Sequence, residues 1–169
     1  MNSDGLNDLP DWDDDFLRNL GDEDETEEWK PNPTRDACKA LYTKWNEIMI
    51  MLNGALGEEE DEDEPGQHSA LFIRERKSMI LGDAFEVAAK IRSSETGNMY
   101  ILRMENAAII RKNAQLIKSA MLTFNMEGEM EDNYCEAIRA EIDNFRELFK
   151  QWIATFQKDE FTDEWGLFV

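Results

Sequence analysis

The chain reads as an all-α protein, an antiparallel four-helix bundle with a disordered acidic N-terminal arm, and three observations predict it. Apolar residues recur at three- and four-residue steps over four long stretches. Short segments rich in Gly, Asn or acidic residues separate those stretches. Acidic residues gather in two blocks instead of spreading over the whole chain.

The blocks decide how the formal net charge of −20 is to be understood. Residues 1–33 carry twelve Asp and Glu against Arg18 and Lys30, and residues 58–64 are seven consecutive acids, which leaves only −3 for everything else. A nearly neutral remainder can pack, whereas charge-blocked segments with few apolar groups cannot offset the entropy of ordering. The expected organisation is therefore an arm over 1–33, and a bundle domain over 34–169 with an acidic linker at 58–66 and an aromatic C-terminal coda at 159–169. The arm holds one helix-spaced apolar set, Leu9, Trp12, Phe16, Leu17 and Leu20, set among Asp11, Asp13, Asp14 and Asp15.

Pro31 and Pro33 close the arm, and Thr34 is expected to cap a first helix over 34–53 with Cys38, Leu41, Tyr42, Trp45, Ile48, Met49 and Leu52 as its stripe. Gly54 is placed to end it in a left-handed conformation. A second helix is expected over 69–94 and a third over 98–124. Between them Gly97 offers a stop and Asn98 a new cap, although the heptad phase through Leu81, Ala88, Glu95, Leu102 and Ile109 continues unbroken. A tight hairpin is the expectation; fusion of the second and third helices into one, giving a three-helix arrangement, is the alternative. The fourth helix starts near Asn133, whose spacing to Glu136 matches a capping box, and carries Tyr134, Ile138, Ile142, Phe145, Phe149, Trp152 and Phe156. The coda follows with Phe161, Trp165, Leu167, Phe168 and Val169, and is expected to fold back over the bundle through Gly166, burying Trp165 and Phe168; the alternative is a recognition peptide that fits a groove of a partner.

Several chemistries find no support in the residues. A di-iron bundle needs Glu-x-x-His pairs, and the chain has the single histidine His68 and no such pair. Cys38 and Cys135 are the only cysteines, too few for a disulfide framework and too distant for a metal or redox motif. No glycine-rich phosphate loop occurs. The expectations are no catalytic residue, no cofactor, no metal and a non-enzymatic protein in a reducing, cytoplasmic compartment. The first ten residues lack the basic and apolar regions of a secretory signal, and no run of ~18 apolar residues suggests a membrane span. Direct nucleic-acid binding is disfavoured by the acidic balance.

Two features remain. Asn106 and Asn113 fall in register with Met99, Leu102, Ile109 and Leu116, so both amides are expected on the inward stripe of the third helix. Arg103, Glu105, Arg92 and Glu95 stand near one end of this polar layer as candidate liners of a small-ligand or enzymatic pocket, the second functional expectation. Arg103 also recurs with Arg111 and Lys118 along the helix, spacings that suit a solvated face or a dock for acid. The first expectation is a non-enzymatic interaction or adaptor module that presents its acidic, aromatic-dotted N-terminal arm to a basic or apolar groove of another protein. Trp12, Phe16, Leu17, Leu20, Trp165 and Phe168 are the candidates for contact, and homo-oligomers are compatible with it.

Overall fold

The computed structural model describes residues 9–13, 31–57 and 68–168. Among them are four long helices, α1 Pro33–Leu56, α2 His68–Ser93, α3 Tyr100–Met126 and α4 Asp132–Ile153. The direction of each pair follows from which ends meet. Cys38, early in α1, lies against the carbonyl of Ile91, late in α2, and the Trp45 indole donates to the Ala84 carbonyl at 2.8 Å. Arg76 of α2 pairs with Glu127 just past α3 at 2.7 Å, and Arg139 of α4 donates to the Lys118 carbonyl of α3 at 2.8 Å. Thr34 reaches the Thr155 carbonyl at 3.3 Å, and Lys44 pairs with Glu141 at 2.8 Å, so α1 and α4 close the ring. This is the up-down-up-down antiparallel four-helix bundle, and the hairpin rather than the fused helix joins α2 to α3.

The helix ends depart from expectation in instructive ways. Asn32, not Thr34, caps α1: its side chain accepts from the Arg35 N–H at 3.0 Å. Pro33 at the first helical position holds the preceding residue outside the helix, which leaves the Asn32 side chain poised over the free amides. Gly54 does not stop α1, which runs on to Leu56. Leu56 is buried one turn beyond the buried Leu52, and burying a leucine gains about 1.5–3 kcal/mol against the ~1 kcal/mol cost of a helical glycine. The stop is Gly57, where a Cβ would collide with the Asn53 carbonyl.

Between α2 and α3, Gly97 adopts φ 78° as expected of a stop, but Asn98 also goes left-handed at φ 49° and caps nothing. The amide at the start of α3 finds its acceptor elsewhere: the Asp159 carboxylate takes the Tyr100 N–H at 2.8 Å. An anion at a helix N-terminus satisfies an orphan donor and complements the dipole. Asp159→Ala is expected to cost about 0.5–2 kcal/mol in chemical denaturation.

α3 ends on Gly128 at φ 80°, with Glu129 N–H on the Phe124 carbonyl at 2.8 Å and Gly128 N–H on that of Asn125 at 3.0 Å, the two bonds of a Schellman turn. The expected capping box at Asn133 and Glu136 is not formed, since α4 begins one residue earlier at Asp132. The Asn125 amide bridges that loop instead, donating to the Met130 carbonyl at 3.1 Å and the Asp132 carboxylate at 2.7 Å.

The interior is one apolar cluster drawn from all four helices, rich in aromatics along α4. Trp45 sits on Phe145 at 4.7 Å between ring centres, and Trp152 meets Phe156 edge-on at 4.7 Å. Cys38 and Cys135 are free, buried and at opposite ends of the bundle. Burial pushes the Cys38 thiol well above its ordinary range, and the nearby Glu95 carboxylate adds to this. Both thiols are expected to resist iodoacetamide in the native protein and to react fully in denaturant, as read by mass spectrometry.

Candidate functional site

The end of the bundle where α1 begins and α2 ends collects most of the polar residues singled out in the sequence. Glu95, in the turn after α2, and Arg103, one turn into α3, form an ion pair at 3.0 Å with side chains only 1% and 8% exposed. The pair closes the α2–α3 hairpin from inside, because Gly97 turns the chain sharply enough to bring residues eight apart into contact. Asn106 donates to the Ser93 hydroxyl at 3.2 Å, and Ser94, fully buried, donates to the Lys90 carbonyl at 2.7 Å. Two turns along α3, Asn113 donates to the Glu86 carboxylate of α2 at 2.7 Å.

Both asparagines are thus inward, as expected, and both use their amides to bond α3 to α2. Glu105 is exposed and belongs outside the layer, because it stands two residues from Arg103, on another side of the helix. Arg92 is half-buried on the flank of the layer. The supposed face of Arg103, Arg111 and Lys118 does not exist as one surface: Arg103 turns inward, Arg111 is exposed, and Lys118 pairs with Asp143 of α4. Ser93, Ser94 and Cys38 complete the layer without having been picked out. The serines resemble ordinary turn residues, and only the position of Gly97 three residues beyond Ser94 hints that they end a buried helix.

Some buried polar atoms of this region have no hydrogen-bond partner among the described residues: Glu95 Oε1, Arg103 Nε, Arg92 Nε and Trp152 Nε1. Among the described residues no group of three His, Cys, Asp or Glu side chains could hold a metal ion, and no helix is long and apolar enough to cross a membrane. A shallow groove of about 440 Å³ lies toward the other end, between α1 and α4, floored by Ile50, Met51, Ala137 and Ala140 and edged by Lys44, Glu47 and Glu141.

The contact candidates divide. Phe16, Leu17 and Leu20 lie outside the described residues. Trp12, in the arm, is half-buried and docked: its ring lies 5.7 Å from that of Tyr42, whose hydroxyl donates to the Pro10 carbonyl at 2.6 Å. Residues 9–13 have a place on the bundle, because Leu9 and Trp12 give the segment apolar groups to bury; the expectation of disorder in the arm falls mostly on residues 1–8 and 14–30, outside the described residues. The coda does the opposite of what was expected. Trp165 is 90% exposed, Phe161 66% and Leu167 53%, with Phe168 half-buried. Gly166 does turn the chain, at φ 74°, but the turn closes on Asp163, which accepts from the Gly166 N–H at 3.0 Å and, through its carboxylate, from the Leu167 N–H at 2.6 Å. That local closure leaves Trp165 projecting.

No family model matches the chain, and neither a curated protein nor a solved structure matches it.

Proposed function

We propose that this protein is a non-enzymatic interaction module of the cytoplasm whose presenting element is the coda, with Trp165 as its anchor and an apolar, basic-rimmed pocket of another protein as its receptor. One observation carries the reading: a tryptophan 90% exposed on a turn closed by its own hydrogen bonds. Burying a tryptophan is among the largest gains available to an interface, and a preformed turn lowers the ordering cost of binding. Asp159, Glu160, Asp163 and Glu164, with no base among residues 159–169, supply the charge that selects a basic rim.

The test is affinity capture with the full chain and with Trp165→Ala. The expected result is a partner retained by the wild type, released by peptide 159–169 and lost with the variant; equal retention by both chains overturns the reading. Trp165→Ala is also expected to leave stability within about 0.5 kcal/mol of wild type in denaturant titration, since the indole packs against nothing that folding needs.

A second reading, ligand binding in the polar layer, draws on Glu95 Oε1 and Arg103 Nε, both buried and without a hydrogen-bond partner among the described residues. A small molecule that raises the melting temperature of wild type but not of a Glu95→Gln variant would favour it over the first.

A further inference from the structure

Both carboxylate oxygens of Asp159 are bonded to backbone. Oδ2 accepts the Tyr100 N–H at the start of α3, and Oδ1 accepts the Phe161 N–H within the coda at 3.1 Å. One side chain therefore holds the coda beside the α2–α3 turn, through two bonds of the charge-assisted kind. Further on, Asp163 closes the turn that carries Trp165. The coda is an extension fixed to the end of the bundle, not a free tail.

What Asp159 brings together is apolar and open to solvent. Met99 immediately precedes the capped amide and Phe161 carries the second one; both side chains are exposed, as are Trp165 and Leu167 on the Asp163 turn. Large apolar groups gathered in this way mark a surface that a partner covers. The charge among them is of one sign: Asp159, Glu160, Asp163 and Glu164, with no base among residues 159–169. A second copy of the chain, at a net charge of −20, is repelled by such a rim, whereas Lys and Arg side chains are drawn to it.

From these observations we infer that the α2–α3 turn and the coda form one composite docking surface, with Met99, Phe161 and Trp165 as its apolar contacts and Asp159 as its positioning residue. Its occupant is a short basic segment of another protein that carries apolar side chains between its Lys or Arg residues. The inference rests on the coda being the presented element. It adds the second half of the surface and the residue that sets the geometry between the halves. A surface held in place before binding loses less entropy on docking than a loose tail, so the Asp159 joint contributes to affinity without touching the partner.

The experiment selects binders from a random peptide library on the immobilised full chain. The enriched peptides are then titrated into the full chain as wild type, Trp165→Ala, Met99→Ala, Asp159→Ala and Asp159→Asn, each checked for an unchanged helical spectrum. The expected binders combine basic and apolar residues, are lost with Trp165→Ala, and weaken at least about tenfold with Met99→Ala, the loss typical of an interface residue that matters. The two Asp159 variants remove the same charge, but only asparagine keeps an acceptor for the Tyr100 amide. Asp159→Asn is therefore expected to bind at least about threefold more tightly than Asp159→Ala, a difference that reads position and not electrostatics. Binders that lack basic residues, or that need Trp165 yet bind Met99→Ala as tightly as wild type, overturn the composite surface and leave the coda as the presented element. Equal affinities for the two Asp159 variants overturn the positioning role. A library that yields no binder, or only binders indifferent to Trp165→Ala, overturns the inference together with the reading on which it rests.

Discussion

Replacing Arg103 with alanine is expected to destabilise the bundle by about 3–5 kcal/mol, as measured by chemical denaturation, because it strands the Glu95 carboxylate in a site 1% exposed. Most of that loss is the cost of a buried charge without its partner, not the worth of the pair. A Glu95→Leu/Arg103→Met variant, which removes both charges and keeps apolar volume, is therefore expected to recover most of it. If the double variant is as unstable as the single one, the polar layer fixes the hairpin geometry through hydrogen bonds that an apolar replacement cannot supply. Asn106 and Ser93, one turn away, then become the next residues to change.

Trp45→Ala is expected to cost about as much, 3–5 kcal/mol on the scale of buried aromatic truncations, for a different reason. Trp45 is fully buried where α1 meets both neighbours: its indole N–H donates to Ala84 in α2, and its ring packs on Phe145 in α4. Alanine leaves a cavity at the junction of three helices, which cannot collapse without pulling them together. For a protein of this size the melting temperature is expected to fall by roughly 10 °C. Trp45→Phe, keeping most of the ring and losing the hydrogen bond, separates the two contributions: a loss of about 1 kcal/mol marks the bond as secondary to the volume.

The sequence pattern carried the parts of the fold that depend on periodicity. Leu41, Trp45, Ile48 and Leu52 announce a buried helical face, and Gly97 announces a break, whatever surrounds them. Helix ends were harder because a cap is decided by competition. Thr34 and Asn32 both suit the role, and the constraint of Pro33 settles it; Gly54 suits a stop until the buried Leu56 outweighs it. The Asp159 cap was invisible because its partner, Tyr100, lies 59 residues away, and sequence spacing speaks only for neighbours. The polar layer was half legible: Asn106 and Asn113 announced themselves by register and Glu95 and Arg103 by standing near its end, while Ser93 and Ser94 were hidden in a segment with turn composition. Trp12 and Trp165 came out reversed in exposure for a related reason. Composition says that an aromatic group gains from burial, but only local closure by Asp163 and the position of Tyr42 decide which of the two finds cover.

The carboxylate that Asp159 lends to α3 also sets a timetable. A ribosome adding about 5–20 residues per second reaches Asp159 some seconds after it has made Tyr100, 59 residues earlier. During that interval α3 has no side-chain cap, and α1, which already has α2, waits longer still for its second neighbour α4, since Thr34 and Thr155 are 121 residues apart. The α2–α3 hairpin, locked by Glu95 and Arg103 only eight residues apart, is under no such delay. Nascent chains halted before residue 132 should therefore hold a protease-resistant hairpin at α2–α3 while α1, covered by α2 alone, is cut more readily, and synthesis of α4 and Asp159 then closes the bundle.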